Sequence, residues 1–207
     1  ALPVFVVFGA VVALVGVAYS RLIVACLAGF DALSRIPAPL KAMVIGAAIG
    51  LALTIDADLV GGGDDLSQAL LAGQKLTFLA VIVLLVVRFV AGPLSYAAAT
   101  PGGLFAPMLA LGALCGLIFA HALDVVWPGM GTALMPALVL VGMATLFTAV
   151  VRAPLTGAVL VMEMTATTSV AVSILAAGAA AVIVAQLLRS PPIYDVLRTR
   201  MLAADDH

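Results

Sequence analysis

Charge is what this sequence has least of: Asp, Glu, Lys and Arg together make up 9% of its 207 residues, against roughly a quarter in a soluble globular domain. That scarcity excludes a soluble fold. Net charge is −1, and no basic run is long enough to follow a phosphate backbone, which removes nucleic acid as a partner. The two cysteines, Cys26 and Cys115, each sit inside an apolar run without a partner at metal-ligand spacing, so they read as small core residues. His121 and Asp124 stand one turn apart with no third ligand, and no metal site is expected. No motif gathers a nucleophile, a base and an orienting group, so an enzyme is not expected either, and no catalytic residue or cofactor is assigned. The first residues, Ala1-Leu2-Pro3-Val4, bring neither an initiator Met nor a basic segment ahead of the first apolar run; this is unlike a secretory signal, and the chain is expected to be cut from something longer.

What is there is apolar. Hydrophobic residues make up 65% of the chain and mean hydropathy is +1.32, more apolar surface than a core of this size hides from water, so lipid must cover much of it. The run from Leu2 to Leu33, broken by Arg21 and Asp31, exceeds the roughly 20 residues of a perpendicular span and predicts a long tilted helix. A second span is predicted from Leu40 to Ile55, then a solvated loop from Asp56 to Asp65 around Gly61-Gly62-Gly63. Asp65 or Ser67 would cap a short helix to Ala72, and Leu76 to Val90 forms another span. Gly92-Pro93-Leu94-Ser95-Tyr96 and Thr100-Pro101-Gly102-Gly103 read as turns, followed by a helix from Leu104 to Val126 and an interfacial turn at Trp127-Pro128-Gly129. Shorter pieces come next: Leu134 to Val151, Pro154 to Met164 and Val170 to Leu188, which imply broken helices. An amphipathic helix from Ile193 to Met201 leads to the polar tail Asp205-Asp206-His207. Small-residue steps at Gly112/Gly116 and Ala176 to Ala181 suit close helix packing in lipid. Arg189, Arg198 and Arg200 cluster at one end, which places the C-terminus in the cytoplasm, in a cell (inner) membrane.

The most informative stretch is Gly102-Gly103-Leu104-Phe105-Ala106-Pro107, a glycine turn that opens a helix inside hydrophobic sequence. The first amides of a helix lack intrahelical partners and carry the positive end of its dipole, so they can replace an anion's hydration without a cationic side chain. A tight turn with no ligand is the plainer reading of the same residues, and on the glycines alone both stand. Glu163, the sole glutamate, lies in an apolar helix, where a carboxylate is costly; a hydrogen bond to nearby backbone or to Arg152 is expected ahead of a proton relay. Arg88 and Arg152 read first as helix-end residues that snorkel or pair, and second as an electrostatic influence on an anion path.

Gly103-Leu104-Phe105-Ala106-Pro107 resembles the GxFxP motif of CLC chloride channels and chloride/proton antiporters, and Pro101-Gly102 before it and Met108 to Gly112 after it match that family as well. Val141-Gly142-Met143-Ala144, Arg152-Ala153-Pro154-Leu155-Thr156-Gly157 and Leu160 to Thr165 resemble the family's paired short helices in order and spacing, and Pro192-Ile193-Tyr194 is similar to the tyrosine opening its last membrane helix.

The resemblance implies an all-α polytopic membrane fold of broken, tilted helices, with residues 1–207 forming the C-terminal half of an inverted-repeat membrane domain and no soluble domain. It implies chloride as the transported ligand. An anion-binding site is implied at Gly103, Leu104, Phe105, Ala106, Pro107 and Tyr194, with the Leu104 and Phe105 amides and the Tyr194 hydroxyl as donors. A phenol suits this independently, as an uncharged donor that holds an anion without trapping it; the other reading of Tyr194 is an interfacial anchor. The tyrosine also argues against the family's fluoride-selective branch. Partners implied are the lipid bilayer, the N-terminal half of the same transporter, and a second copy in a homodimer using about Pro154 to Leu188. The family's gating and proton glutamates belong to the other half, so channel and antiporter stay open. A non-conducting assembly module and transport of another small anion, such as nitrate or bromide, remain as rivals.

Overall fold

A computed structural model of the chain describes residues 2–33, 35–61, 63–72, 74, 76–98 and 103–205, the side chains of residues 64, 204 and 205 excepted. Among the described residues the fold is all-α: α1 (Leu2–Ala32), α2 (Ala38–Ile55), a 3-10 turn (Ala57–Leu59), α3 (Asp64–Leu71), α4 (Phe78–Ala97), α5 (Phe105–Val126), α6 (Met130–Val151), α7 (Pro154–Thr165), α8 (Ala171–Leu187) and α9 (Ile193–Asp205). Of these, α1, α2, α4, α5 and α6 are long and apolar enough to cross a membrane. The chain has an all-α polytopic membrane fold. The expected turn at Thr100-Pro101-Gly102, the central Gly62 of the glycine run, and Asp206-His207 of the tail lie outside the described residues.

The centre of the molecule is an antiparallel hairpin of α5 and α6. Trp127 ends α5, Gly129 at φ 85° starts α6, and residues rising along one helix meet residues falling along the other. A Cβ added at Gly112 would strike the backbone of Gly142, and one at Gly116 would strike Leu138. Four residues apart, these two glycines share one face, so the helices approach to backbone contact without a Cβ on that line. This is the small-residue packing that replaces the hydrophobic effect in lipid. Around the hairpin, α1 packs on α8, α6 and α4; Gly9 of α1 lies against the Ala177 backbone of α8, inside the alanine-rich stretch expected to pack closely.

Several boundaries differ from expectation, each for a physical reason. Pro93 does not end α4, which continues to Ala97. In lipid, neighbouring elements compensate the backbone bond that an internal proline removes, and Gly92 beside it leaves the notch that the Tyr19 hydroxyl fills. α6 is likewise not a half-span: it runs 22 residues from Met130 through Pro136, its first turn seated where Gly131 meets the Ala120 carbonyl of α5. Gly63 at φ 92°, rather than Asp65 or Ser67, is the N-cap of α3, and Ser67 is buried inside that helix. The final helix extends past Met201 to Asp205. Pro154 opens α7 at its first position as expected.

Candidate anion-binding site

The helix that carries the glycine motif starts at Phe105, with Leu104 as its N-cap and no side chain capping it. Residues 104 to 106 therefore present amides ahead of the first intrahelical bond, and Met108 N donates to Leu104 O at 3.2 Å. Pro107 stands at the third helical position, where its missing N–H removes a donor that would otherwise need a partner. Local sequence thus leaves a cluster of three amides at the positive end of a 22-residue helix. The Leu104 side chain is buried in the core, 3% exposed, which pins the cluster from beneath.

The amides border a cavity of about 420 Å³ whose walls include Gly103, Phe105, Ala106 and Pro107 of the motif together with Gly61, Arg88, Gly92 and Ser95. The structure therefore brings four of the six expected site residues to one opening, with Leu104 behind it. Tyr194 is not among the lining residues. It sits in the first turn of α9, 45% exposed, with its neighbour Ile193 buried, and its phenol lies within electrostatic reach of the Tyr96 phenol. Tyr96 ends α4 just ahead of the motif, and in sequence it reads only as part of a turn.

Arg88 is neither snorkelling nor at a helix end. It is 6% exposed and donates Nε to Asp58 O at 2.7 Å, Nη2 to Val60 O at 3.0 Å and Nη1 to Gly61 O at 3.3 Å. The segment expected to be a solvated loop is accordingly in part a folded cavity wall: Asp56 caps the 3-10 turn through Asp58 N at 2.9 Å, and Val60 is buried. Arg152 is a helix-end residue with a partner, as expected, but the partner is not Glu163. It ends α6 at φ 65° and its Nη2 donates to Ser190 O, while the Glu163 side chain, expected to meet it, is exposed on α7. His121 Nδ1 lies 2.8 Å from Leu117 O and Asp124 accepts from Thr132 Oγ1 at 2.6 Å, so both potential ligands have other partners. Cys115 is buried and Cys26 partly so, both as free thiols.

Known proteins align with this architecture. Over 204 residues the chain is 35% identical to the H(+)/Cl(-) exchange transporter ClcA of Vibrio campbellii, covering 97% of this chain and 43% of that one. The Vibrio parahaemolyticus transporter of the same name is 36% identical over 206 residues with the same coverages. The chain thus spans less than half the length of these curated relatives. A crystal structure of a slow cyanobacterial Cl-/H+ antiporter superposes with a TM-score of 0.89 at 29% identity, over 100% of this chain and 48% of its own. A eukaryotic CLC transporter shares the fold, with a TM-score of 0.75 at 22% identity over 95% of this chain and 34% of its own. The family model described as voltage gated chloride channel matches residues 1–186, from α1 into the last turn of α8, and the chain belongs to that family.

Proposed function

We propose that this chain is the C-terminal half of the membrane domain of a chloride transporter, and that chloride binds at the amides of Leu104, Phe105 and Ala106 with the Tyr194 hydroxyl as a further donor. The observation that carries this is the uncapped N-terminus of α5 opening on the cavity lined by Gly103, Phe105, Ala106 and Pro107. Amide donors hold an anion loosely enough to release it, as transport requires, and Arg88, the charged side chain in the cavity wall, is committed to backbone carbonyls. Kinship with two bacterial H(+)/Cl(-) exchangers and a Cl-/H+ antiporter favours proton-coupled exchange over a passive channel. The protein works with an N-terminal half in the lipid bilayer of the cell membrane, its C-terminus cytoplasmic, as a homodimer. The exposed apolar residues Leu155 and Val159 of α7 and Val172 and Ile183 of α8 supply the interface. It is a transporter and not an enzyme.

Chloride flux with simultaneous pH recording, in liposomes containing this chain joined to its N-terminal half, tests the reading. Chloride movement that drives protons uphill, and that Tyr194→Ala alters, is the expected result. Flux without proton movement would make the protein a channel, preference for nitrate would reassign the anion, and no flux from the complete protein would leave an assembly module.

A further inference from the structure

Two helix ends in this chain close on arginines in the left-handed region, Arg152 after α6 at φ 65° and Arg189 after α8 at φ 50°. A side chain there is strained where glycine would not be, and such strain persists where surrounding contacts over-determine the backbone. Here the two breaks hold each other. Arg152 Nη2 donates to the carbonyl of Ser190, 38 residues away, and Ser190 is buried with its N–H on Ala185 O at 3.1 Å. From α1, Arg21 Nη2 donates to Leu188 O at 3.2 Å. Two cations from two different helices therefore hold carbonyls at the negative end of the α8 dipole.

The chain beyond Ser190 is stiff. Pro191 and Pro192 have φ fixed near −65°, and the Pro192 carbonyl accepts from Asp195 N at 3.2 Å and Val196 N at 3.3 Å to begin α9. Ile193 is fully buried, so the start of the helix cannot rotate freely. Moving the Ser190 carbonyl moves Tyr194 with it. On its other side the end of α6 reaches the glycine motif: the Phe147 ring meets the Phe105 ring edge-to-face, centroids 5.5 Å apart at 83°. The last turns of α6 thus touch the first residue of α5 and the origin of α9 together.

We infer that the break between α6 and α7 is a latch and Arg152 a positioning residue, which sets the Tyr194 hydroxyl relative to the amides of Leu104 and Phe105; this rests on the proposed anion site. The test is a double-mutant cycle on the complete protein in detergent, with chloride affinity measured by titration calorimetry. Arg152→Met weakens chloride binding roughly 3- to 10-fold, the range that one lost hydrogen bond produces, and by less than about twofold in the Tyr194→Phe background, since the hydroxyl it positions is gone. Arg152→Lys, which keeps the charge and a donor, recovers most of the affinity, and Arg152→Gln, which loses the guanidinium, serves for the cycle if the Met variant does not fold. Equal weakening in both backgrounds, or none in either, overturns the latch while leaving the anion site standing. Should Tyr194→Phe alone leave chloride affinity unchanged, the anion-site reading fails first and takes the latch with it.

Discussion

A guanidinium offers five N–H donors in a fixed fork, and Arg88 commits three of them to successive parts of one short segment, the carbonyls of Asp58, Val60 and Gly61. No other side chain does this: lysine has a point charge on a flexible stem, and an apolar residue leaves three acceptors to find water beside lipid. Gly63 belongs to the same arrangement. Its φ of 92° already disfavours a side chain, and a Cβ there would press on Ala110 Cβ and come within 3.0 Å of Arg88 Nη1. Arg88→Lys is therefore expected to destabilise the protein by on the order of 2 kcal/mol, the penalty of buried acceptors left unpaired. Arg88→Met should cost more. Thermal unfolding in detergent reads this directly, and an unchanged midpoint for Arg88→Met would remove the clamp from any account of stability. Because the clamped segment forms one wall of the cavity at Gly103, slower anion flux at unchanged selectivity should accompany the loss.

At the scale of whole helices, the α5–α6 hairpin is the least forgiving contact. Gly112 and Gly142 lie so close that a Cβ on either meets the other's backbone, and backbone cannot rotate aside as a side chain can. Gly112→Leu must separate the helices, at a cost above the usual 1–3 kcal/mol of overpacking; loss of monodisperse protein on size-exclusion chromatography is the expected outcome, and a well-folded Gly112→Leu protein would contradict the geometry. This contact was legible in the sequence, because glycines four apart in an apolar run name a face. So were most helices, whose apolar runs declare their length, and the start of a helix just after Gly103. Pro93 misled because a proline is read as a helix end from its local cost, whereas a packed bundle in lipid tolerates it inside α4. Arg88 misled because snorkelling assumes that the nearest polar partner is the interface, when a folded-back loop lay closer. The approach of Tyr194 to Tyr96 and the Arg152–Ser190 bond join segments distant in sequence, and no local pattern announces them.

The molecule as a whole is uneven in its burial. The α5–α6 hairpin is enclosed, yet α2 has no buried residue along its 18 positions, and an apolar groove of about 380 Å³ runs between it and α4, lined by Ile45, Ile49, Val86, Val90 and their neighbours. Ile49 also lines the cavity at the α5 N-terminus, so the groove and the candidate site open on the same side. An anion resting on the amides of Leu104, Phe105 and Ala106 would be desolvated by this chain over only part of its surface. Three amide donors cannot replace a full hydration shell; the remaining donors must come from a surface facing them. That is the physical reason to expect no conduction from this chain by itself, independent of its coverage of less than half of its relatives. Reconstituted alone, the chain should give chloride efflux no faster than empty liposomes, and co-reconstitution with the N-terminal half should restore flux that Tyr194→Ala alters. Efflux from the chain alone at the rate of the joined protein would mean that these amides and α9 enclose the ion unaided, and the two-half architecture would have to be abandoned.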